Sequence, residues 1–236
     1  MRGLFVTGTD TGVGKSIVSA SLIAAMVAAG ESVRAYKPVV TGLDEPPDVS
    51  TEPAWPPDHE LLASVAGMRP EDVSPLRFGP AVSPHLAADL AGVRIDPAEL
   101  LSHARTSAEP PNPAAREETL VVEGVGGLLV PLADEYTVCD LAVAIGLPVV
   151  IAARPGLGTI NHTLLTLQAA RSVGLHVCAV VLTPWPAEPK ALERSNRETI
   201  ARLGEVEVAG LAHVPSPTVA ELAGAGELLP WLRWLD

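Results

Sequence analysis

Positive charge is scarce in this sequence. Its 236 residues hold 16 Lys and Arg against 28 Asp and Glu, a formal net charge of −12. Nucleic acid and anionic membrane surfaces both demand a spread of Lys and Arg, so neither is an expected partner. Lysine is the rarer cation, at Lys15, Lys37 and Lys190 only. Its compact point charge is not reproduced by the fork of Arg, which singles out these three positions. Cysteine is nearly absent too. Cys139 and Cys178 stand far apart in apolar surroundings, and are expected as buried free thiols suited to a reducing cytosol. No Cys or His spacing matches a metal-ligand motif. Long apolar runs are missing as well. The longest helical one, residues 17–29, falls short of the roughly 20 residues that span a bilayer. The N-terminal segment meets Asp10 too early for a secretory apolar core. A cytoplasmic protein is the expectation, and no internal repeat is visible.

Apolar residues make up 47% of the chain and charged ones 19%, a globular composition. Short runs rich in Val, Leu and Ile predict strands over 4–7, 32–36, 120–123, 148–152, 177–183 and 208–214. Helical periodicity predicts helices near 16–29, 58–66, 84–91, 97–104, 138–145, 160–173 and 189–203. Strands without polar alternation, separated by helices, imply a parallel sheet covered on both faces. Right-handed crossovers then give a doubly wound α/β fold, expected as one domain over residues 1–236. Two Pro-rich acidic stretches, 44–58 and 107–117, read as surface loops. The first ends at Asp58, directly before a helix, where a loop could close over a site.

The segment LFVTGTDTGVGKSIVSA runs strand, Gly-rich loop, helix. Gly12 and Gly14 let the backbone curl so that successive N–H groups face one anion. Lys15 supplies charge to the β- and γ-phosphates of a nucleoside triphosphate, and the Ser16 hydroxyl is placed to ligate Mg²⁺. The helix opening there adds its positive end. One departure stands out: five residues, rather than four, separate Gly8 from Gly14. Together these features mark a P-loop NTPase type of fold. Such a loop needs a second metal anchor, normally acidic and at the end of another core strand. Glu123 in TLVVEGVGG occupies such a place; a strand-end Glu is often just a solvated cap, but Gly124, Gly126 and Gly127, which allow close phosphate approach, favour the metal role. Asp58 is the other choice, and by default it would be a helix N-cap. Lys37, in YKPVVTG at the end of the second strand, would face the same crevice as the P-loop.

With these motifs the chain resembles the dethiobiotin synthetase family. GTDTGVGKS, YKPVVTG, VSPHLAA (82–88), VVEGVGG (121–127) and GTINHTLLT (158–166) match it in order and spacing over nearly the whole length. The resemblance implies a ligase that needs ATP and Mg²⁺ and makes dethiobiotin from 7,8-diaminopelargonate and CO₂. A carbamate and a carbamic-phosphoric anhydride are its intermediates, and biotin biosynthesis is its setting. Carried over residue by residue, Lys37 is the catalytic lysine, with Lys15 and Thr11 beside it. Gly12, Val13, Gly14, Lys15, Ser16 and Ile17 bind nucleotide, as do Gly124, Val125 and Gly126. Ser16, Asp58 and Glu123 form the magnesium set. Thr41, Ser83 and Pro84 line the substrate channel. Gly158, Thr159, Ile160 and Asn161 receive the substrate carboxylate from the neighbouring subunit of a homodimer. His162, inside that motif, is expected as a packed, hydrogen-bonded residue rather than an acid or base.

The base end departs from the family pattern. An Asn often reads adenine where this chain has Thr183, followed by Pro184. A hydroxyl lacks the paired donor and acceptor of an amide. Val214, Pro215 and Ser216 match the other base-side loop. Two further classes are weighed against this reading. Partition and site-selection ATPases share the P-loop but usually carry an additional early Lys, and positions 8–14 hold none. An amidotransferase-type synthetase would need a glutaminase domain with a catalytic Cys, for which 236 residues leave no room.

Overall fold

The computed structural model describes residues 1–46, 54–108 and 118–235. In chain order its elements begin with β1 (Arg2–Gly8), α1 (Lys15–Ala28), β2 (Val33–Tyr36), β3 (Val39–Val40) and α2 (Asp58–Ala66). There follow α3 (Pro70–Val73), β4 (Leu76–Arg77), α4 (Pro84–Ala91), α5 (Pro97–Ala108) and β5 (Thr119–Glu123). The hairpin β6 (Pro131–Ala133) and β7 (Tyr136–Thr137) leads into α6 (Val138–Ile145), β8 (Val149–Ala153) and α7 (Thr159–Ser172). The chain continues with β9 (Val177–Trp185), α8 (Ala191–Gly204), β10 (Glu207–Ala212), α9 (Val219–Gly226) and α10 (Trp231–Trp234).

Six strands form one parallel sheet in the order β10-β9-β8-β1-β5-β2. Successive side chains of a strand leave on opposite faces, so each strand feeds two cores. Leu4, Val6, Val121, Val150 and Val181 pack on one face, under α1, α2 and α9. Phe5, Val122, Ile151 and Leu182 pack on the other, under α4 to α8. Burial on both faces explains why these strands read as continuous apolar runs. The order reverses around β1, whose neighbours β5 and β8 lie on either side, and the crevice beyond its carboxyl end is where α/β sheets bind ligands.

The differences from the expected elements are at ends and in short pieces. α5 runs on to Ala108, and β10 stops at Ala212, which leaves Val214, Pro215 and Ser216 in the loop beyond it. β3 pairs with β4 in a two-stranded sheet of its own. Cys139 is buried and Cys178 half-buried, rather than both buried; both are free, and Cys178 Sγ donates to Val149 O at 3.2 Å. Residues 47–53 and 109–117, inside the two Pro-rich stretches, lie outside the described residues. Among the described residues no helix is long and apolar enough to cross a membrane.

α9 lies against α1 because Gly226 has no side chain. A Cβ there would stand 2.0 Å from Ser21 O, whereas one on exposed Gly224 in the same helix would meet nothing within 4 Å. Gly226→Ala is expected to destabilise by about 1–3 kcal/mol, the usual cost of overpacking. Gly224→Ala should be neutral or stabilise by up to about 1 kcal/mol through helix propensity. Thermal unfolding of the two variants checks this, at roughly 2–4 °C per kcal/mol for a chain of this size.

Candidate active site

Strand register and pleat place two charged side chains together. β2 and β5 pair through Tyr36 and Val122, so the next residues, Lys37 and Glu123, lie side by side at the carboxyl edge. Ala35 and Val121 face α1, and two residues on Lys37 and Glu123 face the same way. Main-chain bonds fix both: Lys37 N–H donates to Val73 O at 2.9 Å, and Gly124 N–H donates to Val6 O at 2.9 Å. Ser16, in the first turn of α1, and Asp58, the first residue of α2, complete the group.

Within it, the Lys37 ammonium pairs with Glu123 Oε1 and, at 2.8 Å, with Asp58 Oδ2. Ser16 Oγ donates to the same Glu123 oxygen at 2.9 Å. Lys37 is 3% exposed and Glu123 0%, while Asp58 is half-buried. The second Glu123 oxygen, Oε2, is buried without a hydrogen-bond partner among the described residues. Asp58 is therefore no N-cap: Pro57 precedes the helix, and the carboxylate turns to Lys37. Burial opposes the charge on each group, and its neighbours decide the outcome. Asp58 is held below its ordinary value because Lys37 outweighs burial, with Ser16 and Lys15 helping. Lys37 is held above its ordinary value because Asp58 and Glu123 together overcome burial. Lys15 is pushed down, mainly by burial and against the pull of Glu123.

The P-loop closes the other side. Gly12 and Gly14 sit at φ 69° and 91°, left-handed conformations that side chains resist, and Gly14 leads directly into α1. Three hydrogen bonds tie the loop. Lys15 Nζ donates to Asp10 O at 2.9 Å, Thr11 N–H to Asp10 Oδ1 at 2.7 Å, and Arg154 Nη2 to Gly12 O at 2.9 Å. Val13 is a buried core residue. The cleft so formed encloses about 680 Å³. Thr11, Gly12, Gly14, Lys15, Ser16, Ile17, Lys37, Thr41, Asp58, Ser83, Pro84, Val125 and Gly126 all line it.

Other expected positions lie elsewhere. Gly124 is buried beneath the cleft, where a Cβ would meet Val138 Cγ1 at 3.0 Å. The Thr183 methyl is packed so close to Gly14 that a Cβ on that glycine would stand 2.6 Å away. Neither Thr183, Pro184 nor the 214–216 segment lines the cleft. Gly158, Thr159, Ile160 and Asn161 do not line it either. Gly158 caps α7 with φ 91°, Thr159 is buried, and Asn161 is exposed. His162 is exposed rather than packed; its main-chain N–H donates to Gly158 O at 3.2 Å, and its main-chain oxygen accepts from Thr166 Oγ1 at 2.9 Å. Sequence reasoning missed Arg154 and the apolar wall of Val40, Trp55, Leu61 and Val130. Arg154 follows the end of β8, beside β1, and a search of every strand end for cations finds it.

Lys37→Met should cost about 3–5 kcal/mol, because it leaves buried Glu123 without a counter-charge. Lys37→Met with Glu123→Leu should recover most of that loss, since apolar replacement of a buried pair is near neutral. Denaturant unfolding of the four proteins measures the coupling, and equal losses in single and double variants would refute it. The pH profile has a definite sign. The depressed Asp58 contributes above its ordinary 3.8 and loses that share as pH falls through its lower folded value. The raised Lys37 contributes fully below 10.5 and loses its share as pH rises past that value. Lys37→Met should therefore show a shallower alkaline decline than the native protein, the remainder coming from Tyr36 and Cys178, which burial also raises.

Comparison with known proteins agrees with this architecture. A family model described as an AAA domain matches residues 2–220. The ATP-dependent dethiobiotin synthetase of Anaeromyxobacter dehalogenans (strain 2CP-C) is 42% identical over 228 residues, 95% of each chain. That of Bacillus subtilis (strain 168) is 37% identical over 229 residues, 94% of this chain and 93% of its own. Among solved structures, the MinC:MinD cell division complex of Aquifex aeolicus matches with a TM-score of 0.55 at 14% identity, covering 97% of this chain and 87% of that one. The Pyrococcus furiosus cell division ATPase MinD matches at 0.50 and 18%, covering 97% and 90%. At such identities these two share the fold alone. Identity of about 40% along nearly the full length says more: the chain belongs to the dethiobiotin synthetase family.

Proposed function

We propose that this chain closes the ureido ring of dethiobiotin from 7,8-diaminopelargonate, CO₂ and ATP with Mg²⁺, as a single-domain cytoplasmic enzyme. The observation that carries the reading is Lys37, buried yet lining the cleft between two carboxylates, opposite the P-loop. In the reaction, CO₂ adds to one amine as a carbamate. A carbamate oxygen attacks the γ-phosphorus, the bond to the bridging oxygen breaks, and ADP leaves. The second amine then attacks the carbonyl carbon of the mixed anhydride, phosphate departs, and the ring closes.

Each step gathers negative charge in a small space. The P-loop amides and Lys15 hold the β- and γ-phosphates, and Lys37 offsets the charge that moves between carbamate and phosphate. Thr11, in the cleft wall, orients the carbamate region, while Thr41, Ser83 and Pro84 border the carbon chain. Holding carbamate oxygen and phosphorus near in-line geometry is most of what the transfer asks of a protein. Ser16, Asp58 and Glu123 are the groups that would hold Mg²⁺. They are all oxygen donors, as a hard cation requires, and the buried Glu123 Oε2 lacks a partner among the described residues. Among those residues no group of three or more His, Cys, Asp or Glu could hold a metal. Two carboxylates and a hydroxyl are the kind of donor set that Mg²⁺ shares with phosphate and water oxygens. When bound, the ion neutralises phosphate charge. Thr183, Pro184, Val214, Pro215 and Ser216 remain the base-side positions.

The carboxylate end of the substrate calls for a second subunit. The α7 N-terminus, from Gly158 to Asn161, is the positive end of a helix suited to an anion, with Thr159 N–H already bonded to Gly156 O at 3.3 Å, and it lies outside this chain's own cleft. Leu157 beside it is 92% exposed and Leu165 57%, apolar surface consistent with a symmetric partner. Lys37→Gln should bind nucleotide and lose about 10²–10³ in dethiobiotin formation, the scale of one electrostatic contact to the reacting charge. Asn161→Glu should raise the KM for diaminopelargonate and spare that for nucleotide. A mixture of the two should regain activity at one site per mixed dimer. Turnover of Lys37→Gln near the native rate would remove that residue from catalysis. A mixture that stays inactive after demonstrated subunit exchange would remove the shared site.

Base discrimination should be weak, because Thr183 is turned into packing against Gly14 and carries no amide. Turnover with ATP, CTP, GTP and UTP at equal concentration is expected to agree within about a hundredfold. A wider preference for ATP would mean that another group reads the base.

A further inference from the structure

Lys37 sits on the oxygens that the proposed function reserves for the metal. Its ammonium bonds Asp58 Oδ2 at 2.8 Å and pairs with Glu123 Oε1, and Ser16 Oγ reaches that same Glu123 oxygen at 2.9 Å. We propose that Lys37 is the resident counter-cation of the metal site, and that Mg²⁺ arriving with nucleotide displaces it toward the substrate. The inference rests on Ser16, Asp58 and Glu123 being the metal set.

Size and charge make the two occupants exclusive. Oxygens around an ammonium stand at about 2.8 Å, whereas Mg²⁺ draws them to about 2.0–2.1 Å. An ion among these carboxylates at that distance leaves no room for Nζ on the same lone pairs. Glu123 is fully buried, so it needs a cation at every stage, and without nucleotide Lys37 is the one in contact. The buried Oε2, without a partner among the described residues, offers a second oxygen once the ion arrives. Lys37 already lines the cleft, so a rotamer change suffices to carry its charge from the carboxylates to the carbamate side. The enzyme then has its catalytic lysine parked until the metal–nucleotide complex is seated. Metal and nucleotide bind cooperatively as a result, since phosphate oxygens must help the ion evict an ammonium.

Mn²⁺ titration without nucleotide or substrate, read by the electron paramagnetic resonance of the free ion, tests this directly. Native protein should bind weakly, and Lys37→Met at least tenfold more tightly. Mn²⁺ should also raise the melting temperature of Lys37→Met more than that of the native protein. A folded Lys37→Met with equal or weaker affinity overturns the proposal. A second measurement needs no neutral variant. With lysine at only three positions, ¹⁵N-lysine spectra give three Nζ signals, and Lys37→Arg identifies the one from Lys37. That signal should shift when Mg²⁺ is added to native protein holding a non-hydrolysable ATP analogue, and an unchanged signal overturns the exchange. Neither experiment contains diaminopelargonate. An inactive protein that shows both effects refutes the ring-closing reading alone, and an active one that shows neither refutes the exchange alone.

Discussion

A carboxylate with no solvent exposure, Glu123, is the constraint on which the rest of the site depends. A lone charge at such a depth costs several kcal/mol, so the fold must bring a cation to it. The parallel pairing of β2 with β5 does this with the least chain, because it sets Lys37 beside Glu123. Lys37 is then itself buried, and α2 contributes Asp58 as its second partner. A buried ion pair adds little stability beyond what two apolar side chains of similar volume would give. Three charges and a hydroxyl gathered at a strand end therefore speak for chemistry rather than for folding.

Across the cleft, the P-loop is held in shape by bonds to two of its carbonyls. Lys15 binds Asp10 O and Arg154 binds Gly12 O, while Val13 is buried in the core and Gly14 lies against Thr183. With those two carbonyls engaged and Thr11 N–H bonded to Asp10 Oδ1, the remaining N–H groups of the loop can face an anion. A loop arranged before its ligand arrives spends no free energy on reorganisation during the reaction.

How much of this was legible in the sequence follows from the range of the forces involved. The six sheet strands and the helices from α1 to α8, α3 excepted, announce themselves through local periodicity, and 58–66, 84–91 and 138–145 fall at the expected residues. β3 and β4 are two residues each, too short for any pattern, and exist because distant segments meet. α9 has a weaker signature, and its place depends on the absent side chain of Gly226 against Ser21. At the site, the P-loop and strand-end motif residues gather as their strand ends dictate. Thr183 and the 158–161 turn do not, since their positions depend on packing and on surfaces beyond this cleft. His162, expected as a packed residue inside its motif, falls on the outward side of α7. Arg154 belongs to no motif considered, and only the tertiary approach of β8 to β1 brings it to the loop.

The scarcity of lysine has its sense in the same cleft. Lys15 and Lys37 are buried there, and only Lys190 stands in solvent. Between two carboxylates, with 3% exposure, a guanidinium would need more room and would spread its charge over five donors in a fixed plane. An ammonium offers one compact charge that can change partners by rotating its stem. The acidic surface of a chain with net charge −12 does not defeat anionic substrates, because its field is screened within about 8–10 Å at physiological salt. Inside the cleft, poorly screened, two lysines offset the charges of Asp58 and Glu123, and the N-terminal end of α1 adds a positive excess. Attraction is thus confined to the last few ångströms, where placement matters, and an anion is held only where the chemistry needs it.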